Sequence, residues 1–190
     1  MSLLYFICMI SYVALLRGIS PSNPNMHNDK LRQFFEDLGF SHVRTLISSG
    51  NVLFEADSSN SELLQAKIES ALPQRLGFSS TAILRSQKEL QKLVDSKPFQ
   101  QTEHTKTTNL NVTFLKIKTH IPLYFPHQPP QKSYTILSNS GREVCSIIDL
   151  SGSKTPDLMI WLEKQFGKTI TTRTYKTVQR ILIKMSEESQ

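Results

Sequence analysis

HVRTLISSGNVLFEA, residues 42–56, is the stretch whose reading decides the fold class. Two short runs with β-branched and aromatic residues, His42 to Ser49 and Val52 to Ala56, flank Gly50-Asn51. A two-residue linker led by glycine suits a type II′ turn, so the runs read as an antiparallel hairpin. Before the hairpin, Tyr12 to Leu16 reads as a strand that stops at Arg17-Gly18, and a loop rich in Pro and Asn follows. Asn28 as N-cap, Asp29 in the first turn and Leu31, Phe34, Phe35 and Leu38 at helical spacing then predict a helix closed by Gly39. After the hairpin, Ser59, Asn60 and Ser61 offer caps for a second helix carrying Leu63, Leu64, Ile68, Ala71 and Leu72, which Pro73 ends or kinks. Thr81 to Leu84 supplies a fourth strand. The order βαββαβ is that of a ferredoxin-like unit, two helices on one face of an antiparallel sheet.

Further along, Ser86 and Glu89 form a capping box that opens a third helix, ended before Pro98. The polar stretch from Gln100 to Thr108 marks a boundary between two subdomains, 9–98 and 99–190. The second contains strands at Leu110 to Ile117, Tyr134 to Leu137 and Val144 to Ile148, the last two joined around Ser140-Gly141. Ile121 to Gln131 is an irregular connection with four prolines. Thr155 and Pro156 start a fourth helix that stops at Gly167, and a final helix begins at about Thr174. The expected architecture is α+β: an N-terminal ferredoxin-like unit, then a second, smaller α+β unit with an antiparallel sheet and C-terminal helices.

A chain of 190 residues with 38% hydrophobic and 20% charged residues is of ordinary globular composition, which excludes disorder, collagen and coiled coil as descriptions of the whole. Cys8 and Cys145 have no Cys or His near them at metal-ligand spacing, so neither a disulfide framework nor a zinc motif is present, and a reducing, cytoplasmic setting fits. Leu3 to Leu16 is nearly all apolar but shorter than the roughly 20 residues of a spanning helix. No Lys or Arg precedes it, and Tyr5, Phe6, Ile7, Ile10, Tyr12 and Val13 suit a buried strand better than an anchor, so no membrane partner is expected.

Phosphate-cradling loops need closely spaced glycines; here they stand at 18, 39, 50, 77, 141, 152 and 167. Gly-x-Ser-x-Gly and His-x-x-x-His are also absent, so no cofactor or metal is expected, no catalytic motif is recognisable, and the balance tips away from an enzyme. His42 reads as a surface imidazole, and Asp149, before Ser151-Gly152, is the one carboxylate singled out.

The polar residues that suggest a ligand are Arg17, Arg44, Ser49, Asn51, Lys154, Arg173 and Thr177, each at a strand end, hairpin or helix start. Guanidinium forks and hydroxyls are the chemistry of anion binding. The plainer account of the same residues is turn chemistry at Ser49-Gly50-Asn51 and arginines paired with local carboxylates. Net charge is +6. It is uneven: residues 1–98 carry 10 Lys and Arg against 9 Asp and Glu, residues 99–190 carry 12 against 7. Lys176, Arg180 and Lys184 repeat every four residues, a stripe that would track a phosphate backbone or simply be a solvated helix face.

Three segments, Tyr12 to Ile19, Val43 to Phe54 and Thr171 to Val178, together resemble the bacterial family catalogued as domain of unknown function 1697. The resemblance implies a two-part α+β protein with a ferredoxin-like first part and no assigned activity. Ser20-Pro21-Ser22-Asn23-Pro24 replaces the family's Asn and glycine-rich stretch, Ser48 its Gln, and Thr174-Tyr175-Lys176 its Asn-Trp-Asn. Family sequences begin near Met9, so residues 1–8 read as an extension or as an unused upstream start, dispensable for folding. The expected function is non-catalytic binding of an anionic ligand, whether nucleotide, phosphate or nucleic acid. The alternatives are an enzyme acting on a phosphorylated or carboxylated small molecule and a protein-interaction module.

Overall fold

The computed structural model describes residues 9–48, 50–151 and 157–187; the expectations for residues 1–8, Ser49, Lys154 and the Thr155-Pro156 helix start fall outside them. The chain forms two compact units: one runs to Glu89 and takes in the residues from Lys184 onward, the other is Leu90–Ile183.

The first unit contains β1 (Ile10–Leu16), α1 (Asn28–Asp37), β2 (Ser41–Thr45), β3 (Asn51–Ala56), α2 (Ser61–Leu76) and β4 (Ala82–Ser86), and α3 (Gln87–Asp95) starts in it. The sheet order is β2-β3-β1-β4 with every pairing antiparallel, the ferredoxin-like arrangement expected from the sequence. Side chains alternate across the strands, so Tyr12, Ala14, Leu16, Val52, Phe54, Ala82 and Leu84 share a core with Leu31, Phe34 and Phe35 of α1 and Leu64, Ile68 and Leu72 of α2. Phe54 anchors it, its ring 4.4 Å from Phe40 and 5.4 Å from Phe35.

Three local features differ from the pattern. The hairpin link spans residues 46–50 instead of two residues, because Leu46 N–H donates to Asn51 O and Ile47 takes φ 59°. His27, not Asn28, holds the N-cap position of α1, after a turn of 3-10 helix at Pro24–Met26. α2 continues through Pro73 to Leu76 before Gly77 at φ 74° ends it; a proline in the last turns forgoes one helical hydrogen bond while little helix remains to be lost.

The edge strand β4 is closed by side chains. Its outward N–H groups at Ala82, Leu84 and Ser86 donate to Glu69 Oε1 (2.9 Å), Gln65 Oε1 (3.0 Å) and Glu89 Oε2 (2.8 Å). The last belongs to the expected capping box, in which Glu89 N–H reaches back to Ser86 Oγ.

The second unit contains β5 (Thr108–Leu115), β6 (Tyr134–Asn139), β7 (Glu143–Asp149), α4 (Leu158–Phe166), β8 (Ile170–Thr174) and most of α5 (Tyr175–Ser186). Its sheet is antiparallel in the order β6-β7-β5-β8. In both units the first strand is central, flanked by the third and fourth, with the second at the edge. Residues 116–133 take the place of α1 in the chain order, between the first and second strands, and His127 among them bridges Ile136 of β6. Leu115, Tyr134, Ile136, Val144 and Ile170 pack against Leu158 and Leu162 of α4. Among the described residues no helix is long and apolar enough to cross a membrane.

Candidate functional site

In the first unit, Arg17 follows β1 and is held by its backbone: its N–H donates to Thr81 O (3.0 Å) and its carbonyl accepts from Ser80 Oγ (2.8 Å). Arg44 is half-buried on β2, and its guanidinium donates to Lys184 O at 3.1 Å. Arg44 is level with Leu53, and Leu53 with Val13, which separates the two arginine backbones by two strand spacings and four residues, on the order of 16 Å. Asn51 is 1% exposed and its amide donates to Leu46 O at 2.9 Å, so this side chain is committed to the hairpin link. His42 is exposed beside Glu55, at 2.9 Å.

In the second unit, Arg173 is the penultimate residue of β8. Its guanidinium donates to Thr171 Oγ1 (2.7 Å) and Thr172 O (2.9 Å), and burial pushes its pKa down to about 10, which leaves it charged at neutral pH. Arg85 has the same place on β4 of the first unit; 1% exposed, it donates to Leu84 O at 2.8 Å. The last strand residue then caps the next helix in both units, Ser86 for α3 and Thr174 for α5. Thr177 N–H and hydroxyl lie 3.3 and 3.0 Å from Thr174 Oγ1, so Thr177 serves that cap. Lys176 and Arg180 are exposed on α5, whereas Lys184 is half-buried and bonded to Glu187, 2.5 Å away. Asp149 accepts the Ser151 N–H at 2.8 Å; hydrogen bonds from Ser151 hold its carboxyl below the usual range.

The start of α5 also borders a cleft of about 420 Å³ within the second unit, lined among others by Phe99, Glu103, His104, Tyr175, Lys176 and Gln179. Phe99 is buried and its ring centroid lies 4.9 Å from that of Tyr175, tilted by 55°. Burial, with smaller contributions from Cys145 and Asp95, raises the Tyr175 pKa, so the phenol stays protonated. Glu103 and His104 are exposed, and His104 Nδ1 lies 3.5 Å from the Leu110 N–H that points to it. Of these residues only Lys176 belongs to the sequence-based set. Residues 100–108 read as a linker because they are polar, and Phe99 and Tyr175 are too far apart in the chain for spacing to pair them.

A sequence profile described as "Protein of unknown function (DUF1697)" matches residues 9–140. This chain belongs to the DUF1697 family. Its fold is shared with a solved structure described as "conserved bacterial protein SP0830 from Streptococcus pneumoniae": 20% identity, a TM-score of 0.71, and coverage of 94% of this chain and 99% of that one. No curated protein matches the sequence. The DUF1697 assignment carries no activity with it, and the likeness to the streptococcal protein speaks to fold alone. Among the described residues of this DUF1697 chain, no three His, Cys, Asp or Glu side chains gather as a metal site needs.

Proposed function

We propose that the chain is a non-catalytic protein that binds a small anionic ligand, in the cleft at the start of α5. The observation that carries this reading is Lys176, an exposed ammonium on the wall of a concave cleft, with no carboxylate bonded to it among the described residues. Two further features favour an anion there. The first turn of a helix carries the positive end of its dipole. Arg173, three residues before Lys176 and on β8, is charged at neutral pH and adds to the positive potential of this end of the unit. Cys145, the free thiol described, is buried and its pKa is pushed up to about 11, so it supplies no thiolate nucleophile at neutral pH, which favours binding over covalent catalysis. Arg17 or Arg44 of the first unit is the alternative seat for the same anion.

The test is thermal unfolding in millimolar phosphate or sulfate against chloride at matched ionic strength. A bound anion raises Tm along a saturating curve, whereas general salting-out does not saturate. Lys176→Ala is expected to abolish the difference, and Arg44→Ala to leave it. Loss with Arg17→Ala or Arg44→Ala instead would put the anion in the first unit, and a response without saturation would leave no anion site at all.

A further inference from the structure

The cleft holds more than a cation. The Glu103 carboxylate shares it with Lys176, and a bare anion gains from one while being repelled by the other. A ligand that satisfies both carries a negative group at one end and hydrogen-bond donors at the other. Part of the same wall is aromatic: Tyr175 is half-buried, and its ring is fixed by the buried Phe99 at 4.9 Å, which leaves part of the ring available for a planar group to stack on. Gln179 lies one helical turn beyond Tyr175 and contributes an amide that both donates and accepts. The volume, about 420 Å³, is within the usual range for sites that hold small organic ligands.

Resting on the anion site proposed above, we infer that the ligand is a nucleoside phosphate: its phosphate pairs with Lys176, its base stacks on Tyr175, and the base edge donates to Glu103. Guanine fits best, because N1–H and the N2 amine present two adjacent donors to a carboxylate, a bidentate pairing that uracil lacks. The rival with similar chemistry is an aromatic amino acid, whose carboxylate, ring and ammonium also meet a cation, an aromatic wall and a carboxylate.

Isothermal titration calorimetry of the full chain with GMP, UMP, ribose 5-phosphate, inorganic phosphate and tryptophan separates these cases. GMP is expected to bind saturably and more tightly than ribose 5-phosphate by on the order of tenfold, the range that stacking of one base supplies. UMP should fall between them. Glu103→Gln, a change at an exposed position, lowers the GMP affinity to that of UMP, and Tyr175→Leu brings all nucleotides down to ribose 5-phosphate. Equal affinity for GMP and ribose 5-phosphate overturns the inference and leaves the anion site standing. A GMP preference that survives Glu103→Gln, or tighter binding of tryptophan than of any nucleotide, also overturns it. Absence of saturable binding by inorganic phosphate and by every phosphate ester overturns the anion site itself.

Discussion

A β-carbon on Gly50 would lie 2.5 Å from Ile19 Cγ1 and 3.0 Å from Leu16 Cβ, on backbone at φ 73°. Gly50→Ala therefore combines left-handed strain with overpacking, and is expected to cost about 2–4 kcal/mol. The check is a lowered urea midpoint at unchanged m. Cys145 gives a pH prediction. Its pKa is pushed from 9.0 to about 11, burial being the main cause. The unfolded thiol loses its proton first as pH rises, so the buried thiol contributes stability that is complete below about pH 9 and fades towards pH 11, by on the order of 2 kcal/mol. Unfolding free energies measured across that window should fall, and Cys145→Ser should flatten the fall. In the native protein at pH 8, peptide mapping after iodoacetamide treatment should find Cys145 unlabelled. Single residues were unevenly legible. Gly50 announces its backbone through the Gly-Asn pair, whereas the commitment of the Asn51 amide to Leu46 O depends on a link whose length the pattern understates. Lys176 stands out as charge, yet Phe99 meets Tyr175 only through the fold.

Elements show why some strands announce themselves and others do not. The βαββαβ order of the first unit is readable because each strand alternates around an aromatic core and each helix has a cap or a glycine stop. β8 is not: Ile170–Thr174 has one apolar residue followed by Thr, Thr, Arg and Thr, so hydrophobic period is missing although threonine favours the pleated surface. Thr172 is instead fixed by a 2.8 Å hydroxyl contact with Thr113 on β5. Edge protection is likewise invisible to periodicity, since Gln65 on α2 reads as an ordinary polar residue. It is 3% exposed and accepts the outward Leu84 N–H. Gln65→Ala orphans a buried donor and is expected to destabilise the protein by about 1–3 kcal/mol. Hydrogen exchange should show the Leu84 amide losing protection before those of β1, and unchanged protection at Leu84 would show that the glutamine is not its acceptor in solution.

Across the whole molecule, the two units repeat one strand order, and each ends its fourth strand on an arginine followed by a hydroxyl that caps a helix. The chain leaves the first unit at Glu89 and re-enters it at Lys184, partway along α5. Lys184 O is the acceptor for Arg44 on β2. A chain truncated after Ile183 is therefore expected to lose amide protection at Val43 to Thr45, while β5 and β7 keep theirs; equal protection in both forms would show that the returning residues contribute nothing to the sheet. The re-entry also has a temporal side. During translation, β1 to β4 leave the ribosome well before residues 184–187 exist, so the first unit waits, without the carbonyl that receives Arg44, until the entire second unit has been synthesised. A nascent chain interrupted anywhere in between carries a first unit that lacks this acceptor for Arg44.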